Sequence, residues 1–223
     1  MRVISIILIF LAASCSDISG NNNELTDYYH KQFAQHLVEQ TQIAPNALVL
    51  LGDSLTEDLA EQDFFTHVVN YGIRQDTTYG LYLRVQQYER VQDARAIALL
   101  IGINDFWRGR DNKNIVENIV KIIDLLPQDT PVVVFGLLPV DERKGWQGWN
   151  QRIKQVNASI EVQLKGRGVV FDNLGAELID QSGNLAPQYH VGDGVHLTSA
   201  AYKIWAQRLL QALNQQGIKD GNS

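Results

Sequence analysis

Short apolar segments alternate with amphipathic helical patterns along most of the chain. The apolar segments span 47–51, 67–70, 96–101, 132–137 and 169–171, and the helical patterns cover about 78–91, 114–126, 149–165 and 199–213. Strands that are apolar on both faces are typical of a parallel sheet whose right-handed crossovers lay helices over both sides. We therefore predict an α/β fold: a three-layer α/β/α sandwich around a flavodoxin-like five-stranded parallel sheet in the order 2-1-3-4-5.

The composition is that of one ordinary globular domain. The chain has 223 residues, of which 45% are hydrophobic and 20% are charged, and this length suffices for a full hydrophobic core. The net charge of −6 is spread along the sequence, and lysines and arginines form no basic stripe. Nucleic acid is therefore not expected as a partner.

The amino end has the composition of an export signal. Two residues, Met1 and Arg2, supply positive charge, an apolar run covers 3–13, and small residues precede the single cysteine, Cys15. The arrangement resembles a bacterial lipoprotein signal, in which the cysteine is acylated; simple secretion is the alternative. We predict a signal peptide over 1–15 with a lipoprotein-type cysteine, followed by a flexible tether over 16–24.

A second helical pattern follows the tether. Apolar side chains at Leu25, Tyr29, Phe33 and Leu37 recur every fourth residue, which predicts a helix that ends near Pro45. Two histidines of this segment, at positions 30 and 36, are expected at its surface.

The strongest candidate for a reactive group follows the first strand. The apolar run stops at Gly52-Asp53-Ser54-Leu55, which predicts a buried strand that delivers a serine at its carboxyl end. Ligands bind beyond the carboxyl ends of the strands in an open parallel sheet. In the predicted order, Ser54 lies between Gly72, after the second strand, and Asn104, after the third. We expect Gly72 N–H, the Asn104 amide and the Ser54 N–H to stabilise an oxyanion.

A base and its orienting acid are predicted just before the last helix. His196 follows Asp193 by three residues in a glycine-rich loop, so one tight turn can bring the carboxylate to one ring nitrogen while the other faces the serine. His190, Asp193 and His196 also fall at metal-ligand intervals. We favour the hydrolytic interpretation, because the metal alternative lacks a further ligand and leaves Ser54 without a role; no metal or cofactor is expected.

Four sequence blocks carry a family resemblance. The blocks Gly52-Asp53-Ser54-Leu55, Gly72, Gly102-Ile103-Asn104-Asp105 and Asp193-Gly194-Val195-His196 resemble the signature blocks of SGNH hydrolases, or GDSL esterases. The segments 70–78 and 137–140 are further similar to the subgroup of platelet-activating-factor acetylhydrolase subunits. The resemblance implies a hydrolase domain, which we place at 25–215 with a tail at 216–223.

The resemblance also implies roles for individual residues, and this chain departs from the family pattern at several positions. It implies Ser54 as nucleophile, His196 as base, Asp193 as its acid, and Ser54, Gly72 and Asn104 as oxyanion donors. Arg74 and Gln75 stand where relatives often carry glycine, and Phe106 and Trp107 stand where smaller residues are common. We take Arg74, Phe106 and Trp107 as candidate pocket residues that narrow the acyl site or meet an acidic substrate; core packing and a solvated charge are the alternatives.

The expected function is that of a serine esterase. Its substrate is predicted to be a short-chain, acetyl-type ester of a glycan or lipid, cleaved through an acyl-enzyme on Ser54. Trp146 and Trp149 are candidates for stacking on a sugar ring. The alternatives are a lysophospholipase or thioesterase for longer chains and a lipid-anchored, non-catalytic glycan-binding protein. Export to the cell envelope is expected: on the periplasmic side of the outer membrane if Cys15 is acylated, otherwise secreted or periplasmic.

Overall fold

The computed structural model describes residues 25–218. The predicted signal peptide (1–15), its Cys15 and the predicted tether (16–24) lie outside the described residues, as does the tail from 219 onward. Across 25–218, no helix is long and apolar enough to cross a membrane.

Five parallel strands form a single sheet. They are β1 (Leu48–Gly52), β2 (Val68–Gly72), β3 (Ala96–Leu100), β4 (Val132–Phe135) and β5 (Val169–Asp172). Their order is β2-β1-β3-β4-β5, so the predicted topology is confirmed. Strand β1 pairs with both β2 and β3, and its last residue, Gly52, is in register with Gly72 on one side and Leu100 on the other. The chain leaves β1 at the point where the strand order reverses.

Eight helices flank the sheet in the described part of the chain. They are α1 (Asp27–Glu39), α2 (Ser54–Glu57), α3 (Thr78–Val85), α4 (Glu89–Gln92), α5 (Ile103–Trp107), α6 (Asn112–Leu125), α7 (Trp149–Leu164) and α8 (Ser199–Gln215). The hydroxyl of Tyr202 in α8 donates to the Leu55 carbonyl at 3.0 Å and so ties the last helix to α2, which follows β1.

Alternate residues of the strands build two separate cores. In β1, Val49 and Leu51 pack with α3, α6 and α7, whereas Leu48 and Leu50 pack with α2 and α8. Successive strand side chains point to opposite faces, and both faces of this sheet are covered. The three-layer sandwich is therefore confirmed.

One predicted helix is divided. The pattern over 78–91 forms α3 and α4, because the chain turns between them and directs the Tyr88 ring inward, where it stacks on Tyr71 at a centroid distance of 4.1 Å. The Tyr88 hydroxyl contacts His36 Nδ1 at 2.9 Å. The expectation of an exposed His36 is therefore wrong: its ring is buried, and burial, with the nearby charge of Arg84, lowers its pKa to about 4.

Candidate active site

Ser54 stands at the carboxyl end of β1 as the first residue of α2. The Asp53 carboxylate caps this helix by accepting the Leu55 N–H at 3.0 Å. A Cβ on Gly52 would lie 2.0 Å from the Thr56 hydroxyl oxygen, so glycine is required where the strand turns into the helix. The turn presents the Ser54 side chain at the sheet edge where ligands bind in open parallel sheets.

The predicted base lies within hydrogen-bond distance of this serine, and the predicted acid lies within hydrogen-bond distance of the base. Ser54 Oγ is 3.1 Å from His196 Nε2, and His196 Nδ1 is 2.6 Å from Asp193 Oδ2. The second carboxylate oxygen accepts the N–H groups of Val195 and His196 at 2.9 and 3.0 Å. Because an ionised carboxylate only accepts, the proton is assigned to Nδ1, and Nε2 presents its lone pair to the hydroxyl.

The electrostatics of Asp193 match this assignment. Burial alone would raise the pKa of the Asp193 carboxyl, but hydrogen bonds from the His196 ring and from the Val195 and His196 N–H groups hold it below its ordinary value. The carboxylate is therefore ionised at neutral pH and stabilises positive charge on the imidazole ring.

Hydrogen-bond donors without protein partners in the described part of the chain line the same cleft. Asn104 donates one Nδ2 hydrogen to the Asp76 carbonyl at 3.0 Å, and this fixes the amide while its second hydrogen is left for a ligand. Among the described residues, the N–H groups of Ser54 and Gln75 have no hydrogen-bond partner. Ser54, Gln75 and Asn104 all border the cleft.

Gly72 does not occupy the position that the sequence predicted. Its N–H donates to Asn70 Oδ1 at 2.9 Å, and a Cβ added at Gly72 would lie 2.2 Å from the Glu57 backbone nitrogen. The residue thus packs against α2 and is not among those that border the cleft. The prediction of Gly72 as an oxyanion donor is wrong, because its N–H is already occupied.

Gln75 is a candidate donor that the sequence analysis did not identify. Its backbone has φ +61°, a left-handed conformation that glycine adopts most easily. The signal was present in the sequence, since Gln75 stands where relatives often carry glycine. The Gln75 N–H, which has no partner within 25–218, borders the cleft, where the Gly72 N–H had been expected.

The cleft has a volume of about 520 Å³, and all of its bordering residues except Trp107 carry polar side-chain groups. It is bordered by Ser54, Arg74, Gln75, Asn104, Trp107, Arg108 and His196. Arg74 and Trp107 thus lie where a pocket was predicted. Phe106 does not border the cleft, because its side chain is buried in the core. The Arg152 guanidinium carbon lies over the Phe106 ring, 3.9 Å from the ring centroid.

Arg74 is already paired with acidic side chains. Its guanidinium makes a close contact with Asp58 and lies 3.6 Å from Glu57. Arg74 thus pairs with two acidic side chains of the protein itself, and its pairing with an acidic substrate stays a prediction.

Trp107 presents an aromatic surface to the cleft. It is 58% exposed, and its ring meets Trp146 and Trp149 edge to face at centroid distances of 4.4 and 5.6 Å. Trp146 in turn donates its indole N–H to the Asp193 carbonyl at 3.1 Å. These three rings, the tryptophan cluster, therefore join the cleft wall to the loop that holds the acid and the base.

A buried arginine braces the turns that carry the cleft residues. Arg84 is fully buried and donates to Asp76 Oδ2 at 2.8 Å, to the carbonyls of Tyr71 and Gly52 at 2.7 and 2.8 Å, and to the Tyr88 hydroxyl at 2.9 Å. One guanidinium thereby holds the carboxyl ends of β1 and β2 together with the loop before α3.

Three carboxyl groups lie beneath the cleft. Burial raises the pKa of Asp53 to about 7, and burial likewise raises the pKa values of Asp76 and Asp105. Asp105 accepts the Thr78 hydroxyl at 2.6 Å and the Thr78 N–H at 2.9 Å. These carboxyls hold loops in place below the reactive groups and do not border the cleft.

His190 lies close to the site in sequence but faces away from the cleft. It is buried, and its Nδ1 accepts two backbone N–H groups of its own loop. Within 25–218, no group of three histidine, cysteine, aspartate or glutamate side chains converges in a way that could hold a metal ion.

The fold and the aligned serine, imidazole and carboxylate define a hydrolase of the α/β class, with its reactive groups beyond the carboxyl edge of a parallel sheet. The chain belongs to the GDSL-like lipase/acylhydrolase family, whose model matches residues 47–204. The predicted family is therefore confirmed, and the chain is an ester-hydrolysing enzyme.

Individual relatives agree with this assignment. Platelet-activating factor acetylhydrolase IB subunit alpha2 from Gallus gallus is 24% identical over an alignment of 204 residues, and the alignment covers 85% of this chain and 82% of the relative. A GDSL-like lipase from Bacteroides thetaiotaomicron has a TM-score of 0.74 at 23% identity and covers 82% of this chain and 98% of its own. An acetyl-xylooligosaccharide esterase from Geobacillus stearmophilus has a TM-score of 0.61 at 17% identity, with coverages of 78% and 96%. The two structural likenesses establish the fold.

Proposed function

We propose that the enzyme hydrolyses short-chain esters through an acyl-enzyme on Ser54. The observation that carries this proposal is the continuous contact from Ser54 Oγ through His196 to Asp193, at 3.1 and 2.6 Å. Ser54 Oγ attacks the ester carbonyl carbon while its proton passes to His196 Nε2. The Asp193 carboxylate stabilises the imidazolium that results.

The second half of the reaction uses the same groups. His196 returns its proton to the leaving alcohol oxygen as the tetrahedral intermediate collapses, which leaves the acyl group on Ser54. Water then loses a proton to His196 and attacks the acyl carbonyl, and the collapse of this second intermediate releases the acid and restores the Ser54 hydroxyl.

Three donors serve the oxyanion in this proposal. They are the N–H groups of Ser54 and Gln75 and the second Nδ2 hydrogen of Asn104. Two observations support the set: both N–H groups lack a partner among residues 25–218, and the Asn104 amide is held by Asp76. Preorganised donors of this kind stabilise the charge that develops in the transition state.

We propose an acetyl or similarly short acyl group on a carbohydrate as the substrate. Two arginines, a glutamine and an asparagine line the cleft, and no aliphatic side chain of the described residues borders it. A long acyl chain would thus find no trough of aliphatic side chains beside Ser54, which argues against the lysophospholipase and thioesterase alternatives. The exposed Trp107 ring is suited to the apolar face of a sugar. The relative named as an acetyl-xylooligosaccharide esterase supports this substrate class by analogy.

A series of acyl esters tests the reaction and the acyl preference together. We expect kcat/KM for p-nitrophenyl esters to fall steeply from acetate to octanoate, and Ser54→Ala to lower kcat by about 10⁶-fold. A fluorophosphonate probe should label wild-type protein on Ser54 and leave Ser54→Ala unlabelled. Residual turnover of the Ser54 variant near the wild-type rate would contradict the mechanism, and an octanoate preference would contradict the short-chain proposal.

Trp107→Ala tests the carbohydrate side of the cleft. We expect a tenfold or larger loss, about 1.4 kcal/mol, in kcat/KM for acetylated oligosaccharides, with p-nitrophenyl acetate little affected because it lacks a sugar. Trp107→Phe keeps an aromatic face and serves as the matched control. Equal losses on both substrates would remove the proposed stacking role.

We also propose that the protein is exported and anchored by a lipid on Cys15. The support is the composition of residues 1–15. Mass spectrometry of the amino-terminal peptide should show an acylated Cys15, and Cys15→Ser should release the enzyme from membranes. A mature protein that begins elsewhere, with an unmodified terminus, would favour simple secretion.

A further inference from the structure

The imidazole of His190 lies inside the loop that carries the acid and the base. This segment, residues 190–196, is here named the relay loop. His190 is 6% exposed, and its Nδ1 accepts the Gly192 N–H at 3.0 Å and the Gly194 N–H at 3.1 Å. The two donors flank Asp193 on either side. The Nδ1 atom of His190 thus accepts hydrogen bonds from the backbone on both sides of Asp193.

The contacts of His190 determine its tautomer. Since Nδ1 accepts two hydrogen bonds, it carries no proton, and the proton of the neutral ring is on Nε2. Nε2 lies 3.3 Å from Asp141 Oδ2, close enough for attraction but not aligned for a hydrogen bond. Asp141 also donates its backbone N–H to the Gly194 carbonyl at 2.8 Å. Two sets of contacts therefore stabilise the relay loop: the hydrogen bonds to His190 within the loop and the hydrogen bond from Asp141 outside it.

The backbone of the relay loop depends on this acceptor. Gly192 and Gly194 have φ +113° and +82°, and a Cβ on Gly194 would lie 3.1 Å from the Asp141 carbonyl. Their N–H groups point inward, while the side chain of Asp193 between them points outward to His196. Without an acceptor at Nδ1, the buried Gly194 N–H would have no partner, and such groups are costly in a folded protein. The turn would rearrange to hydrate it.

We propose that His190 is a positioning residue whose unprotonated Nδ1 orients the Asp193–His196 pair toward Ser54. The proposal rests on the roles of those three residues in the proposed function. His190 touches neither the cleft nor the reacting atoms. It acts through the backbone on either side of Asp193. Its loss therefore lowers kcat for the chemical step and leaves substrate binding nearly intact.

Two variants separate the acceptor from the bulk of the ring. In His190→Asn, Oδ1 occupies the place of Nδ1 and keeps an acceptor; in His190→Leu, a methyl group stands there. We expect His190→Leu to lower kcat by about 10²-fold, the scale of a 1 Å misplacement, with KM changed by less than about threefold. His190→Asn should recover kcat to within about fivefold of wild type. His30→Leu, at an exposed position of α1, is the matched control and should behave as wild type.

The proton shared by His196 and Asp193 provides a readout that a purely structural role would not move. Its downfield NMR signal should be present in wild type and His190→Asn and broadened or lost in folded His190→Leu. Full kcat in folded His190→Leu, or equal losses in the leucine and asparagine variants, would overturn the proposal.

Nitrogen chemical shifts of the wild-type enzyme keep the test decisive if His190→Leu fails to fold. They should show His190 with a bare Nδ1 and a protonated Nε2, and the opposite tautomer would overturn the proposal. Failure of the proposed function is distinguishable, because Ser54→Ala would then retain turnover whatever the state of His190.

Discussion

Replacing Asp53 with asparagine is expected to remove a large pH dependence from the protein's stability. The Asp53 side chain is 1% exposed and accepts the Leu55 N–H at 3.0 Å. Burial raises the pKa of its carboxyl to about 7, although the Leu55 and Gly102 N–H groups act in the opposite direction. In the unfolded chain the pKa of an aspartate is about 3.9. The folded protein therefore binds a proton on Asp53 more tightly than the unfolded chain does.

The sign and size of the effect follow from this difference. The contribution of Asp53 to stability is fully present below about pH 4, where the carboxyl is protonated in both states, and it is lost as pH rises through about 7. The whole effect is about 4 kcal/mol, and about 2.5 kcal/mol of it falls between pH 5 and pH 8. Asparagine does not titrate, so the free energy of unfolding of Asp53→Asn lacks this pH-dependent contribution at every pH.

Urea unfolding followed by tryptophan fluorescence measures the effect. The free energy of unfolding is determined for wild type and Asp53→Asn at several pH values from 5 to 8, and the difference between them is plotted against pH. A constant offset reflects the altered hydrogen bonds, whereas the slope reports the titration of Asp53. Asp129→Asn, at an exposed carboxylate, is the control. Parallel wild-type and Asp53→Asn curves would refute the reasoning.

Three other substitutions test the site and its support. Arg84→Met should lower the free energy of unfolding by about 3–5 kcal/mol in a urea titration, because it leaves the Asp76 carboxylate buried without its partner; a loss below about 1 kcal/mol would contradict this. Asn104→Ala should lower kcat by about 10²–10³-fold, measured on acetyl esters, and unchanged kcat would exclude it as an oxyanion donor. Gly72→Ala should destabilise the fold through its contact with the Glu57 backbone while kcat per folded molecule is kept; a selective loss of kcat would restore Gly72 as a donor.

The sheet was predictable because its strands carry their own signal. Each strand is a short apolar run, and parallel order follows from the helices between the runs. The strand boundaries were less accurate. His67 was predicted to open β2, but its backbone has φ +47° and the strand begins at Val68. A pattern of apolar residues does not indicate which residue before a strand has a left-handed backbone conformation.

The break between α3 and α4 and the burial of His36 could not be predicted from local sequence. Both depend on Tyr88, which stacks on Tyr71 and bonds to His36 across 52 residues of chain. The periodicity of apolar residues indicates which face of a helix is buried. It does not indicate that a polar ring such as that of His36 has a hydrogen-bond partner in the core.

The site was predictable in its convergence and less so in its details. The topology brings Ser54 and His196 to one edge of the sheet, and the structure has them within hydrogen-bond distance; their catalytic roles stay predictions. The Gly72 N–H donates to the Asn70 side chain, whereas the Gln75 N–H, unpartnered in the part of the chain that the structure describes, stands in a loop with a left-handed backbone angle. Neither can be derived from spacing, although the absence of glycine at position 75 was a visible departure.

The bond between the Tyr202 hydroxyl and the Leu55 carbonyl links two parts of the chain that are 147 residues apart. During synthesis the ribosome completes the first strand and its serine long before the last helix exists. A chain that ends before His196 therefore contains Ser54 but lacks both the proposed base and the Tyr202 hydroxyl that contacts Leu55. We therefore expect ester hydrolysis only from a chain in which α8 has been synthesised and has packed on the sheet.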